Sequence, residues 1–149
     1  MKPARKTKRD GTRDAAAYAD AVRIAERYVG AYNARDLDAM LALMDENVVS
    51  YPTALFGPRP HFGHAGVRAW WEAMISSADS FDVVVSEVRP IESDRVALLG
   101  EVWSRGRRLS PWAVLVRIRD GLIIESRSYL SDETLLDDLG LLQEPATTR

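Results

Sequence analysis

The chain has 149 residues, of which 46% are hydrophobic and 28% charged, a length and balance that suit one globular domain with its own core. A formal net charge of −2 gives no reason to expect nucleic acid or an anionic membrane as partner, and no apolar run approaches the roughly 20 residues that span a bilayer. The absence of cysteine excludes disulfides, thiolate chemistry and cysteine-based zinc sites, so a cytoplasmic protein is expected.

Residues 1–14 carry Lys2, Arg5, Lys6, Lys8, Arg9 and Arg13 and nothing to bury, and read as a disordered basic tail. A first helix is expected over 15–34, with Ala21, Ile24, Ala25, Tyr28 and Tyr32 at helical spacing on one face. Asp36 is a good N-cap for a second helix, and Asp38 suits its first turn. That helix buries Leu37, Met40, Leu41 and Met44. A strand is expected from Val48 to Tyr51, closed by Pro52. Residues 53–63, with two prolines and two glycines, form a loop able to act as a lid. A third helix follows from about His64 to Ser76, with Val67, Trp70, Trp71, Met74 and Ile75 as its apolar face.

Four strands are expected next, over 81–89, 95–104, 109–119 and 122–130. Turns at Arg105–Arg108 and Asp120-Gly121 make the last three antiparallel neighbours. Asp132 opens a short last helix with Leu135, Leu136 and Leu139, Gly140 ends it, and 143–149 trail off as a flexible tail. Helices gathered before a strand meander imply an α+β fold. A cavity between sheet and helices is then the natural place for a small ligand.

Three separated segments, Ala25 to Pro52, Phe62 to Met74 and Arg117 to Leu142, resemble in order and spacing the nuclear-transport-factor-2-like superfamily. Its SnoaL-like and ketosteroid-isomerase-like branches are the most similar. The resemblance implies a cone-shaped domain over 15–142, with a curved sheet wrapping three N-terminal helices, a short C-terminal helix and a homodimer formed through the sheet. It also assigns positions. The isomerases' oxyanion-binding tyrosine corresponds to Tyr28. Their general base falls on Tyr51, a poor base at neutral pH, and their second oxyanion donor on Val114. In the epoxide-hydrolase branch the last-strand carboxylate falls on Ser128. The chain therefore resembles these enzymes while lacking their carboxylates.

Strand alternation puts Ile124, Ser126 and Ser128 on one face of the last strand and Ile123, Glu125, Arg127 and Tyr129 on the other. By the resemblance, the Ser128 face is the pocket face. Tyr28 and Tyr51 are the expected polar cavity groups, either as hydrogen-bond donors to a ligand oxygen or as core tyrosines with local partners. His61 and His64 flank the loop–helix junction. Either one serves as a proton carrier, with His64 placed near the site, or the two are a solvated loop pair. Two histidines without a third ligand do not complete a metal shell, so neither metal nor cofactor is expected. Tyr32, Trp70, Trp112, Val114, Ser126 and Ser128 are the expected ligand-lining residues, the indoles being equally suited to core filling.

Two functions fit: a pocket protein for a small hydrophobic, polycyclic carbonyl compound, or a cofactor-free isomerase, cyclase or dehydratase working by proton transfer. A pure association module is the third class.

Overall fold

The computed structural model describes residues 2–52, 59–75, 81–130 and 132–138. Residues 53–58 of the expected lid loop, Leu139, Gly140 and the expected tail over 143–149 lie outside the described residues.

Helix α1 runs from Lys2 to Asn33, so residues 2–14 continue the helix and do not form a separate coil. Lysine, arginine and alanine are good helix formers, Pro3 sits in the first turn where no N–H is needed, and Gly11 costs only about 1 kcal/mol. The end of α1 is closed by Arg35 N–H donating to Tyr32 O and Asp36 N–H to Ala31 O. This is the Schellman closure, in which the residue after the cap is left-handed. Arg35 holds that conformation at φ 59° where glycine is usual. Asp36 then caps α2 (Leu37–Ala42), its Oδ1 accepting from Ala39 N–H at 3.0 Å.

Strand β1 spans Met44–Tyr51, beginning earlier than the apolar pattern suggests. Met44 pairs with Ile123, but Val49 already pairs with Glu125. The bulge between them turns Glu46 and Asn47 to solvent while Met44 and Val48 stay buried. The two-residue strand β2 (His61–Phe62) pairs with Val49 and Ser50, where the pattern indicated only loop. Helix α3 is Gly63–Ile75. Strands β3 (Asp82–Glu92), β4 (Arg95–Ser104), β5 (Arg107–Arg119) and β6 (Leu122–Tyr129) form the meander, and α4 is Asp132–Asp138. Positive φ at Arg105 and Gly106, and again at Asp120 and Gly121, gives the turns whose twist matches that of paired strands.

The six strands lie in the order β2-β1-β6-β5-β4-β3, antiparallel throughout except for the parallel pair β1–β6. Val96, Leu98, Val114 and Val116 face inward and are completely buried against α1–α3. The small Ala21 and Ala25 let α1 sit close to them. On the other face, Ala97, Leu99, Ala113, Leu115 and Tyr129 pack under Leu135 of α4. A register shift between Arg117 and Ile118 brings Ile123 opposite Ile118 and Glu125 opposite Arg117. Ile123 therefore joins the inner core, not the outer face that strict alternation gave it.

Candidate functional site

Where α1 diverges from the sheet, the inner core gives way to a cavity of about 320 Å³. Helix α1 contributes Tyr28, Val29 and Tyr32, and α3 contributes Trp70. The sheet contributes Val83, Val102, Ser110, Trp112 and Ser128. Pro52, Phe81, Leu109 and Leu130 complete the wall, and the last two, 52% and 41% exposed, mark its mouth. No described lining residue carries a carboxylate, imidazole, ammonium or guanidinium group.

The polar groups of the wall are mainly hydroxyls. Tyr28 Oη and Ser126 Oγ are 3.2 Å apart. Burial pushes the Tyr28 phenol above its usual pKa, and the Ser126 bond offsets only part of that. Burial also raises Tyr32 to about 12, against the opposing pull of the Arg35 charge. Both phenols are therefore protonated donors at neutral pH. Tyr32 packs edge-on to Trp71, with ring centroids 5.8 Å apart.

A latch holds the mouth in shape. Asn33 Nδ2 donates to Val83 O at 2.8 Å, and Val83 N–H donates to Asn33 Oδ1 at 2.9 Å. The Arg35 guanidinium donates to Tyr32 O at 3.0 Å and Phe81 O at 2.8 Å, and pairs with Asp82 at 3.2 Å. It also lies 5.2 Å from the Tyr32 ring centroid. The Arg35 cation is thus consumed at the rim.

Of the residues expected from sequence, Tyr28, Tyr32, Trp70, Trp112 and Ser128 line the cavity. Val114 is completely buried in the core beneath it. Ser126, 1% exposed, stands behind Tyr28 and positions its hydroxyl. Tyr51 is misplaced by the sequence reading. Ser50 pairs with Ser126 and Tyr51 with Arg127, so the two-residue period that turns Ser126 inward turns Tyr51 outward. Its ring lies 3.9 Å beneath the Arg127 guanidinium.

His64 is also removed from the site. Its Nε2 lies 2.9 Å from Met44 O, and since a carbonyl only accepts, Nε2 carries the proton and ties α3 to β1. His61 Nε2 is buried with no hydrogen-bond partner among the described residues. No group of three His, Asp or Glu side chains converges on a metal position among them, and no described helix is long and apolar enough to cross a membrane.

Sequence reasoning missed Val29, Pro52, Phe81, Val83, Leu109, Ser110 and Leu130. Ser110 was within reach, because it shares the parity of Trp112 on β5. The others follow from where α1 and the strand ends meet, which alternation does not encode.

The sequence profile of the SnoaL-like domain matches residues 25–126. The chain belongs to the SnoaL-like domain family. Among solved structures, this SnoaL-like protein is similar to a candidate polyketide cyclase (SMa1630) from Sinorhizobium meliloti, with 21% identity, a TM-score of 0.61, and coverage of 71% of this chain and 93% of that one. It is also similar to RV0760c from Mycobacterium tuberculosis in complex with estradiol-17beta-hemisuccinate, with 22% identity, a TM-score of 0.62, and coverage of 73% and 92%. A computationally designed 17-OHP binder has 23% identity and a TM-score of 0.62, covering 74% of this chain and 89% of the binder. At these identities the likeness is one of fold, the nuclear-transport-factor-2-like α+β cone. No curated protein matches the chain at a significant level.

Proposed function

We propose that this SnoaL-like protein binds a small, uncharged, largely apolar ligand bearing a carbonyl or similar oxygen, flat polycyclic compounds included, in the cavity beneath Tyr28 and Trp112. The observation that carries this reading is the neutral lining. A charged ligand would lose its hydration there without gaining a counter-ion, a cost of several kcal/mol. An apolar ring system loses nothing, and its oxygen finds protonated hydroxyls. A cavity of about 320 Å³ falls in the range of small-molecule sites. A protein of the same fold designed for 17-OHP supports the neutral polycyclic chemotype, and one solved with estradiol-17beta-hemisuccinate supports the polycyclic skeleton alone, since the hemisuccinate arm carries a carboxylate.

One observation favours a second reading, a cofactor-free enzyme moving a proton next to a carbonyl. The buried Tyr28 hydroxyl, held by Ser126, is a donor suited to a developing enolate oxygen. Against it stands the lack of any carboxylate or imidazole among the described lining residues, which leaves no group to take the proton. Binding is therefore the preferred reading, with Tyr28 as hydrogen-bond donor and Tyr51 and His64 without a chemical part.

The same reading takes residues 15–142 as the working domain of a cytoplasmic protein, without nucleic-acid or membrane partners, and paired with a second copy through the outer sheet face. The deciding experiment is a thermal-shift screen of neutral carbonyl compounds on wild type and Tyr28→Phe. A compound that stabilises the wild type more than the variant supports the reading, and a screen in which none stabilises either protein contradicts it.

A further inference from the structure

Val29 has a cavity on either side of it. One is the cavity of about 320 Å³ beneath Tyr28 and Trp112. The other, of about 220 Å³, lies between α1 and the edge strand β3. Among the described lining residues, Val29 is the one that both cavities share. Glu26, about one helical turn earlier, lines only the second, and Tyr32, about one turn later, only the first.

The sheet is divided as well. Val102 and its β3 partner Val83 line the first cavity, and Leu98 and its partner Val88 line the second. Gly100 stands between Leu98 and Val102 on the same face of β4, paired with Val85. Main-chain atoms of Val84 and Val85 occupy the space that a side chain on Gly100 would take. The sheet side of the partition is therefore backbone, held by its ladder to β4. The helix side is the Val29 side chain, half-buried and packed against the core.

We propose that Val29 is a specificity-determining residue, closing the binding cavity toward β3 so that a ligand with an alkyl arm on that side is excluded. This rests on the reading of the first cavity as a binding site and adds the residue that limits ligand size. Removing the two methyl groups of Val29 joins the cavities, and the aliphatic wall of Val85, Val88 and Leu98 then takes up the arm.

The test is calorimetric titration with acetonaphthone, a flat neutral ketone, and with a set of its isomers that each carry one n-butyl arm at a different ring position. The readout is the affinity of each arm-bearing isomer relative to the parent ketone in the same protein. On wild type at least one isomer binds about tenfold or more below the parent. Val29→Ala raises the relative affinity of that isomer at least tenfold, since each buried methylene is worth about a factor of four. Val29→Ser, which opens the same passage with a different side chain, gives the same gain. Val29→Ala/Val88→Phe, which refills the second cavity, loses it. Thermal unfolding reports that each variant is folded. The proposal is overturned, with the cavity reading intact, if every isomer binds wild type as tightly as the parent, if neither Val29 variant brings the gain, or if the gain survives Val88→Phe. If neither the parent nor any isomer binds wild type, the cavity reading falls and takes this proposal with it.

Discussion

The hydroxyls of Tyr28 and Ser126, 98 residues apart in sequence, lie 3.2 Å from each other and join the inner surface of α1 to the β6 floor of the cavity. Ser126 is buried and Tyr28 half-buried, so their bond matters more for what its loss leaves behind than for its own strength. Ser126→Ala strands a phenol in an apolar wall and is expected to cost about 1–3 kcal/mol. Tyr28→Phe strands the serine hydroxyl in turn. The double variant leaves neither group unsatisfied, so it is expected to be less destabilised than the sum of the singles by about 1 kcal/mol. Urea denaturation of the four proteins measures this, and strict additivity would contradict it.

Arg35 carries two opposed effects. Its left-handed backbone, at φ 59°, costs about 1 kcal/mol relative to glycine. Its guanidinium ties Tyr32 O and Phe81 O together at the mouth. Arg35→Gly relieves the first and loses the second, whereas Arg35→Ala loses the latch and keeps the strain. The expected stability order in denaturant is wild type, then Arg35→Gly, then Arg35→Ala. Stability of Arg35→Ala equal to that of Arg35→Gly would remove the backbone argument.

Gly100 is fixed by close approach of β3, not by its torsion angles. A Cβ would fall 2.0 Å from Val84 O and 2.9 Å from Val85 Cα, both backbone atoms that cannot turn aside. Gly100→Ala is expected to cost about 3 kcal/mol, against a few tenths of a kcal/mol for exposed surface changes. Thermal unfolding distinguishes the two.

The tyrosines set a limit at high pH. An unfolded tyrosine ionises near 10, while burial raises Tyr32 to about 12 in the fold and raises Tyr28 as well. Between these values the unfolded chain binds fewer protons than the native one, so stability falls as pH rises. The contribution is fully present below pH 10 and is lost as pH climbs through about 12. Tyr32→Phe is expected to flatten the decline between pH 10 and 11.5, read from denaturant midpoints. An unchanged slope would contradict this.

The fold was legible because its main elements carry unambiguous periods. The β5 alternation over Trp112, Val114 and Val116, the helical spacing of Ala21, Ala25 and Tyr28, and the Asp120-Gly121 turn each have one reading, and the structure agrees. The site was legible only where a period ran undisturbed. The bulge in β1 between Met44 and Val49 adds three residues relative to β6 and the shift opposite Ile123 adds one, and an odd number of added residues moves every later side chain to the other face. Tyr51 shows a different limit. Its position before Pro52 matched a catalytic position of relatives, but which way it points is set by its partner Arg127 across a parallel pair, and a single strand does not reveal its partner. The His64 bond to Met44 O likewise depends on a junction between two elements.

The central claim is that the cavity selects uncharged ligands, because its described wall holds hydroxyls and rings and no ion. The most direct test is isothermal calorimetry with a rigid tetracyclic ketone and the same skeleton bearing a carboxylate in place of the ketone, at neutral pH. The account predicts measurable binding of the ketone, weakened by Tyr28→Phe, and binding of the carboxylate at least tenfold weaker, the effect of about 1.4 kcal/mol. A carboxylate that binds as tightly as the ketone would contradict it.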